Sequence, residues 1–200
     1  YAIRPAGDRP EYYPIIFLQP MAGNEKAFGF DFGSETERFA ALQRARDSGE
    51  AAATGRITLV QDETRTPGFI LMLPLYQSGQ PIQTVEQRRA VFTGVIYAAF
   101  VINDLMKGVF VTDLLAQHQL KVIDGGMVGA KPDTAGVTIF DSKEKSTKLS
   151  PDSRLKHISK IETGGRQWAL EYQGGRSKAG ARESLPLLVL FAGLSVTLLT

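Results

Sequence analysis

GFDFGSETERFAALQRARDSG, residues 29–49, decides how the chain is organised. Residues 28–32 read as a short extended piece that turns at Gly33. A helix is predicted over 34–48. Ser34 and Glu37 form its capping box, with the serine oxygen accepting from a first-turn N–H and the glutamate reaching back. Phe39, Leu42 and Ala45, with Ala41 beside them, recur at helical spacing and turn one narrow apolar stripe toward a core. Arg44 and Arg46 put positive charge where the C-terminal end of the helix dipole favours it. Gly49 supplies the left-handed conformation that stops the helix. Asp31 stands just ahead of the helix, between Phe30 and Phe32.

Extended segments surround this helix. Residues 12–20, YYPIIFLQP, are rich in aromatic and β-branched types and close on a proline, as a strand does. Within 51–60, Ile57 and Leu59 alternate with polar neighbours and predict a half-buried strand. Residues 69–76, FILMLPLY, are nearly all apolar, as in a strand covered on both faces, with Pro74 marking an edge or bulge. Thr84 and Gln87 form a second capping box over a short helical turn at 85–89. Residues 90–102 carry enough β-branched and aromatic residues to favour strand over a helix suggested by their alanines. A small α+β unit follows, with a helix laid on an antiparallel sheet and a cavity between them.

Past Asn103 a helix is predicted over 104–118, with Leu105, Val109, Leu114 and Leu115 on its apolar side. Four strands then occupy 120–123, 137–141, 155–161 and 166–172, and Thr163-Gly164-Gly165-Arg166 is a hairpin signal. This is a second, smaller unit of helix followed by sheet. Residues 185–200, LPLLVLFAGLSVTLLT, carry no charge. As a helix they would cover about 24 Å of a hydrocarbon core about 30 Å thick, which predicts the start of a transmembrane helix. Tyr1 is not a methionine, and the polar opening run reads as a piece of a longer protein.

Composition excludes more than it assigns. A hydrophobic content of 43% with 22% charged residues describes a folded globular chain. A net charge of +2, without a dense basic run interleaved with aromatics, gives no nucleic-acid footprint. The absence of cysteine removes disulfides, thiol nucleophiles and thiolate zinc sites together. His118 and His157 stand apart, outside any metal-ligand spacing. Nucleophile-elbow and phosphate-loop motifs are missing, and GGRSKAG, residues 174–180, reads as a juxtamembrane linker. Glu35 and Glu37 are explained by capping and the helix dipole. No catalytic residue, metal or cofactor is assigned. What remains is binding: Asp31 among aromatics could accept from a ligand N–H while the rings pack on a flat molecule, or it could simply be a helix-start or turn acid.

Taken together, YYPIIFLQP (12–20), Asn24, the 29–49 stretch, ITLVQ (57–61), FILMLPLY (69–76), Arg88 ahead of TGVIYAAF (93–100), and GRQWALEY (165–172) resemble a CHASE domain. The resemblance implies two tandem PAS-like units, 1–102 distal and 103–176 proximal to a membrane, followed by a linker and the start of a transmembrane helix over 177–200. It implies a small ligand, which in plant members is a cytokinin, an adenine derivative, held by the aspartate matching Asp31. A backbone contact matches Ala53, and apolar walls lie near Leu73 and Gly94. It further implies a homodimer, a periplasmic position on an inner-membrane receptor, and a cytoplasmic output. That output would be a diguanylate cyclase or phosphodiesterase, slightly favoured here, or a histidine kinase. The alternatives are an extracytoplasmic interaction module without a ligand, and a soluble enzyme.

Overall fold

A computed structural model describes residues 2–61, 66–109, 118–130, 136–142 and 155–174. The apolar 185–200 segment, the 174–180 linker beyond its first residue, and the second half of the helix predicted at 104–118 lie outside the described residues. The fold is α+β with antiparallel sheets throughout.

The first sheet is built on β3 (Pro67–Tyr76), whose one edge pairs with β4 (Phe92–Val101). Its other edge carries two short pieces, β1 (Ala52–Ala53) and β2 (Ile57–Thr58). These are one strand interrupted at Thr54, whose Oγ1 accepts from Ile70 N at 3.0 Å while its own N donates to Ile70 O at 2.9 Å. The predicted alternation at Ile57 and Leu59 holds, since both are buried and Thr58 is exposed. Pro74 lies beyond the Ala52–Met72 pair, where β3 has lost its neighbour on that edge and needs no N–H there. The helix α1 (Thr36–Ser48) packs Ala41, Leu42 and Ala45 on Ile70 and Met72 of this sheet. The alternate residues Phe69 and Leu71 face the other way, where the second sheet meets them.

That second sheet has the order β6 (Val137–Asp141), β5 (His118–Met127), β8 (Arg166–Gly174), β7 (Leu155–Thr163). Trp168 stands edge-on to Phe69 at 5.0 Å, and Phe69 stacks on Phe100 at 4.9 Å. Leu120, Val122, Ile139 and Leu170 complete this core, with Ile102 and Met106 from α3 (Ile102–Val109). The two sheets therefore share an apolar core. The predicted hairpin is present: Gly164 and Gly165 both have positive φ, as a two-residue primed turn demands. Its tip docks on the first sheet, Ala53 N donating to Gly164 O at 2.8 Å. A Cβ at Gly164 would meet that same nitrogen at 2.5 Å, so only glycine fits.

Three expectations are corrected. Residues 12–20 form no strand, only a single bridge of Pro14 to Asp31 with bonds at Tyr13 and Ile15. Pro14 offers no N–H to a ladder, and Ile16 and Phe17 point into solvent at 73% and 79% exposure. Ser34 does not cap α1. It closes a 3₁₀ turn (Phe32–Ser34), donating from Oγ to Asp31 O at 2.6 Å, and the α-helix starts two residues later. Glu37 accordingly does not reach back to the cap but accepts from Gly55 N at 3.3 Å. Finally, β3 is covered on both faces only in its first half. Leu73 and Leu75 are 50% and 40% exposed because the second sheet stops short of them.

Candidate ligand-binding site

The 29–35 segment alternates. Phe30 and Phe32 turn toward the space between α1 and the first sheet, and Asp31 turns away from it. Asp31 is completely buried, its Oδ1 accepting from Tyr13 N (2.7 Å) and Gly33 N (2.9 Å) and its Oδ2 from Arg9 Nε (2.8 Å). Arg9 is itself fixed by Pro5 O at 2.8 Å and lies over the Tyr12 ring. The carboxylate thus ties the N-terminal segment to the turn, and its charge is matched by a guanidinium already in place.

The four residues singled out from the sequence do not converge. Ala53 is fully buried where the sheets meet, its N bonded to Gly164 and its O accepting from Arg44 Nη2 at 2.7 Å. Arg44, expected to serve the helix dipole, instead reaches across to this strand, and burial next to Arg166 lowers its pKa. Leu73 pairs with Ile96 and Gly94 with Leu75, so these two share the far end of the β3–β4 pair. By strand alternation Leu73 lies on the face opposite α1.

The space between α1 and the sheet is a small cavity lined by Ile15, Phe30, Phe32, Arg38, Ile70 and Tyr97 among others. At about 10 Å³ it has room for about one water molecule. Arg38 is 2% exposed and takes the first place in the buried stripe Arg38, Ala41, Leu42, Ala45. The sequence reading missed it, although spacing alone places it there: 38, 41, 42 and 45 are i, i+3, i+4 and i+7. Its Nη2 donates to Thr58 O at 2.7 Å, its Nη1 pairs with the Glu35 carboxylate, and its guanidinium lies 5.2 Å from the Phe30 centroid. Burial lowers its pKa to about 10, which leaves it cationic at neutral pH. Its Nε has no hydrogen-bond partner among the described residues. Neither has the buried Tyr97 hydroxyl, whose pKa burial raises and whose ring meets Phe32 edge-on at 5.0 Å.

A second hollow of about 180 Å³ lies on the outer face of the second sheet, lined by Gln119, Lys121, Asp141, Glu171 and Gln173. Gln119 Nε2 donates to Asp141 at 3.0 Å and Lys156 lies 3.8 Å from Glu171, while Gln119 Oε1 is buried without a hydrogen-bond partner among the described residues. Among the described residues no group of three or more His, Asp or Glu could hold a metal ion. No described helix is long and apolar enough to cross a membrane.

The site is thus a small cavity at the helix–sheet seam of an α+β frame built from two packed antiparallel sheets. The CHASE domain profile matches residues 1–138, and the chain belongs to this family of extracytoplasmic sensory domains. The match takes in the 29–49 segment, both walls of the cavity and β5, and ends inside β6. The chain is also similar to "Hybrid signal transduction histidine kinase A" of Dictyostelium discoideum, at 23% identity over 192 residues. That similarity covers 86% of this chain but 9% of the relative, so the chain spans a small part of the relative's length.

Proposed function

We propose that this CHASE domain is the ligand-sensing part of a transmembrane receptor, a homodimer with the domain on the periplasmic side of an inner membrane. The family match over residues 1–138 carries the reading. A small molecule binds in the distal unit, 1–102, at the seam of α1 and the first sheet. Binding shifts that unit against the proximal one, 103–176, both being PAS-like. The hairpin contact between Gly164 and Ala53 and the shared Phe69–Trp168 core are where such a shift would be felt. The strand β8 hands it to 177–200, which we read as a linker and the start of a transmembrane helix. A ligand moves this equilibrium only by the difference of its affinities for the two arrangements. The similarity to a hybrid histidine kinase favours a kinase output over a diguanylate cyclase or phosphodiesterase.

Of the four residues marked by the family resemblance, Asp31 enters this proposal as a ligand contact on one condition: a ligand N–H must replace Arg9 Nε on its Oδ2. Ala53, Leu73 and Gly94 enter it as contacts only if the strands around them rearrange. Thermal unfolding of the wild type and of Asp31→Ala, with adenine derivatives and small metabolites, tests the reading. A ligand-induced rise in Tm supports sensing, and its loss in the variant assigns Asp31. No response to any compound removes the sensing role. It would favour the alternative of an extracytoplasmic interaction module, for which the exposed apolar end of β3–β4, Leu73, Leu75 and Ile96, speaks.

A further inference from the structure

We infer that the cavity between α1 and the first sheet takes a small organic anion, a carboxylate on a flat apolar body, with Arg38 and Tyr97 as its polar contacts. This rests on the reading that the distal unit senses a small molecule, and it names the chemical class.

The argument starts from cost. Arg38 buries a guanidinium in the first turn of α1, at the end where the helix dipole opposes positive charge. An apolar residue would complete the Ala41–Leu42–Ala45 stripe without that penalty. The cation is balanced by Glu35, whose side chain is 43% exposed although the Oε2 that faces Arg38 is buried. Glu35 can therefore turn into water when another anion arrives, and the exchange leaves neither charge buried alone. Arg38 Nε and the Tyr97 hydroxyl are both buried and lack a partner among the described residues, and their two residues line one cavity. An arginine matches a carboxylate in charge and in its planar, two-pronged geometry. The other lining side chains are apolar except Gln61, and Phe30 and Phe32 offer flat faces that suit an aromatic body.

The lining disfavours an amine. Asp31 faces away and is fully engaged, and no carboxylate lines the cavity. The cavity must widen to admit such a ligand, and the room would come from Val60 and Gln61, next to the buried Leu59. They form one wall without being part of the ladder, since β2 pairs with β3 only at Ile57 and Thr58.

The test compares benzoate and phenylacetate with their uncharged amides, benzamide and phenylacetamide, by thermal unfolding and titration calorimetry on the full chain. The carboxylates are expected to raise Tm by a few degrees at about 100 times Kd, and the amides much less. Arg38→Gln is expected to lower carboxylate affinity at least about tenfold, in line with losing a charged hydrogen-bond partner. Because a buried variant can fail to fold, Glu35→Gln supplies a second measurement of opposite sign. Removing the competing anion should tighten carboxylate binding several-fold and leave the amides unchanged. Equal response to acid and amide, no response to either carboxylate, or weaker carboxylate binding in Glu35→Gln overturns the assignment. Stabilisation by an adenine derivative that is lost in Asp31→Ala and untouched in Glu35→Gln would also overturn it, while leaving the sensing role intact.

Discussion

The two ends of α1 are built on different terms. At the C-terminal end three carbonyls of the last turn find donors: Gly49 N to Ala45 O at 2.9 Å, the Tyr76 hydroxyl to Arg46 O at 2.6 Å, and Arg88 Nε to Asp47 O at 2.8 Å. Arg46 suits the dipole there, and Asp47, an anion the dipole alone would disfavour, is clamped by Arg89 and Arg46. At the N-terminal end Glu35 gives no side-chain cap, and a buried arginine sits against the dipole with one nitrogen unpartnered. One end is arranged for stability, and the other keeps hydrogen-bonding capacity in reserve. That contrast is what the proposed sensing site at the N-terminal end requires, because binding sites commonly sacrifice stability.

The comparison can be broken by substitution, beginning with what the two ends share. Leu42→Ala, fully buried in the middle of the stripe, should cost about 3 kcal/mol in urea unfolding and weaken both ends alike. Tyr76→Phe should cost about 1–2 kcal/mol by leaving the Arg46 carbonyl without its donor. A smaller loss, about 1 kcal/mol, is expected for Gly49→Ala, since φ is +80° there and alanine must adopt the left-handed region. Acid unfolding probes the same end. Hydrogen bonds from Arg89, helped by Arg46 and opposed by burial, hold Asp47 well below the usual carboxylate range. Its contribution is complete above the unfolded pKa near 3.8 and fades as the pH falls below about 4. Asp47→Asn should therefore flatten that part of the stability–pH curve, read from urea midpoints between pH 2 and 6. The smallest change sharpens the contrast. Arg38→Met should leave stability within about 1 kcal/mol of wild type or raise it, because its partner Glu35 can rehydrate. A loss of more than about 3 kcal/mol would show that Arg38 is structural, and the two ends would then not differ in kind.

Much of the frame was legible in the sequence because its signals are local. Thr84 and Gln87 make the expected reciprocal cap on α2 (Val85–Ala90), Gly49 ends α1, and the Gly164–Gly165 turn sets the β7–β8 register. The buried face of a strand was read correctly where alternation was clear, as at Ile57 and Leu59. The reading went astray where a side chain competed with the backbone for the same donors. Asp31 takes Gly33 N and Tyr13 N, which makes the 31–34 segment a 3₁₀ turn and shifts the helix start. A capping pattern read from Ser34 and Glu37 cannot register that competition, since Tyr13 lies eighteen residues away.

The candidate site shows the same division. By itself the sequence determined the element order from residue 34 onward and the CHASE resemblance, and it made the 29–49 segment the expected wall of a binding region. Periodicity also placed position 38 on the buried stripe, although an arginine there was not read as core. Only the tertiary structure decided which way Asp31 points and what covers each face of β3. It also brought Arg38 and Tyr97, fifty-nine positions apart, to one cavity. Local periodicity assigns a side chain to a face. What that face meets depends on long-range packing, and there the desolvation of a single guanidinium outweighs any local propensity.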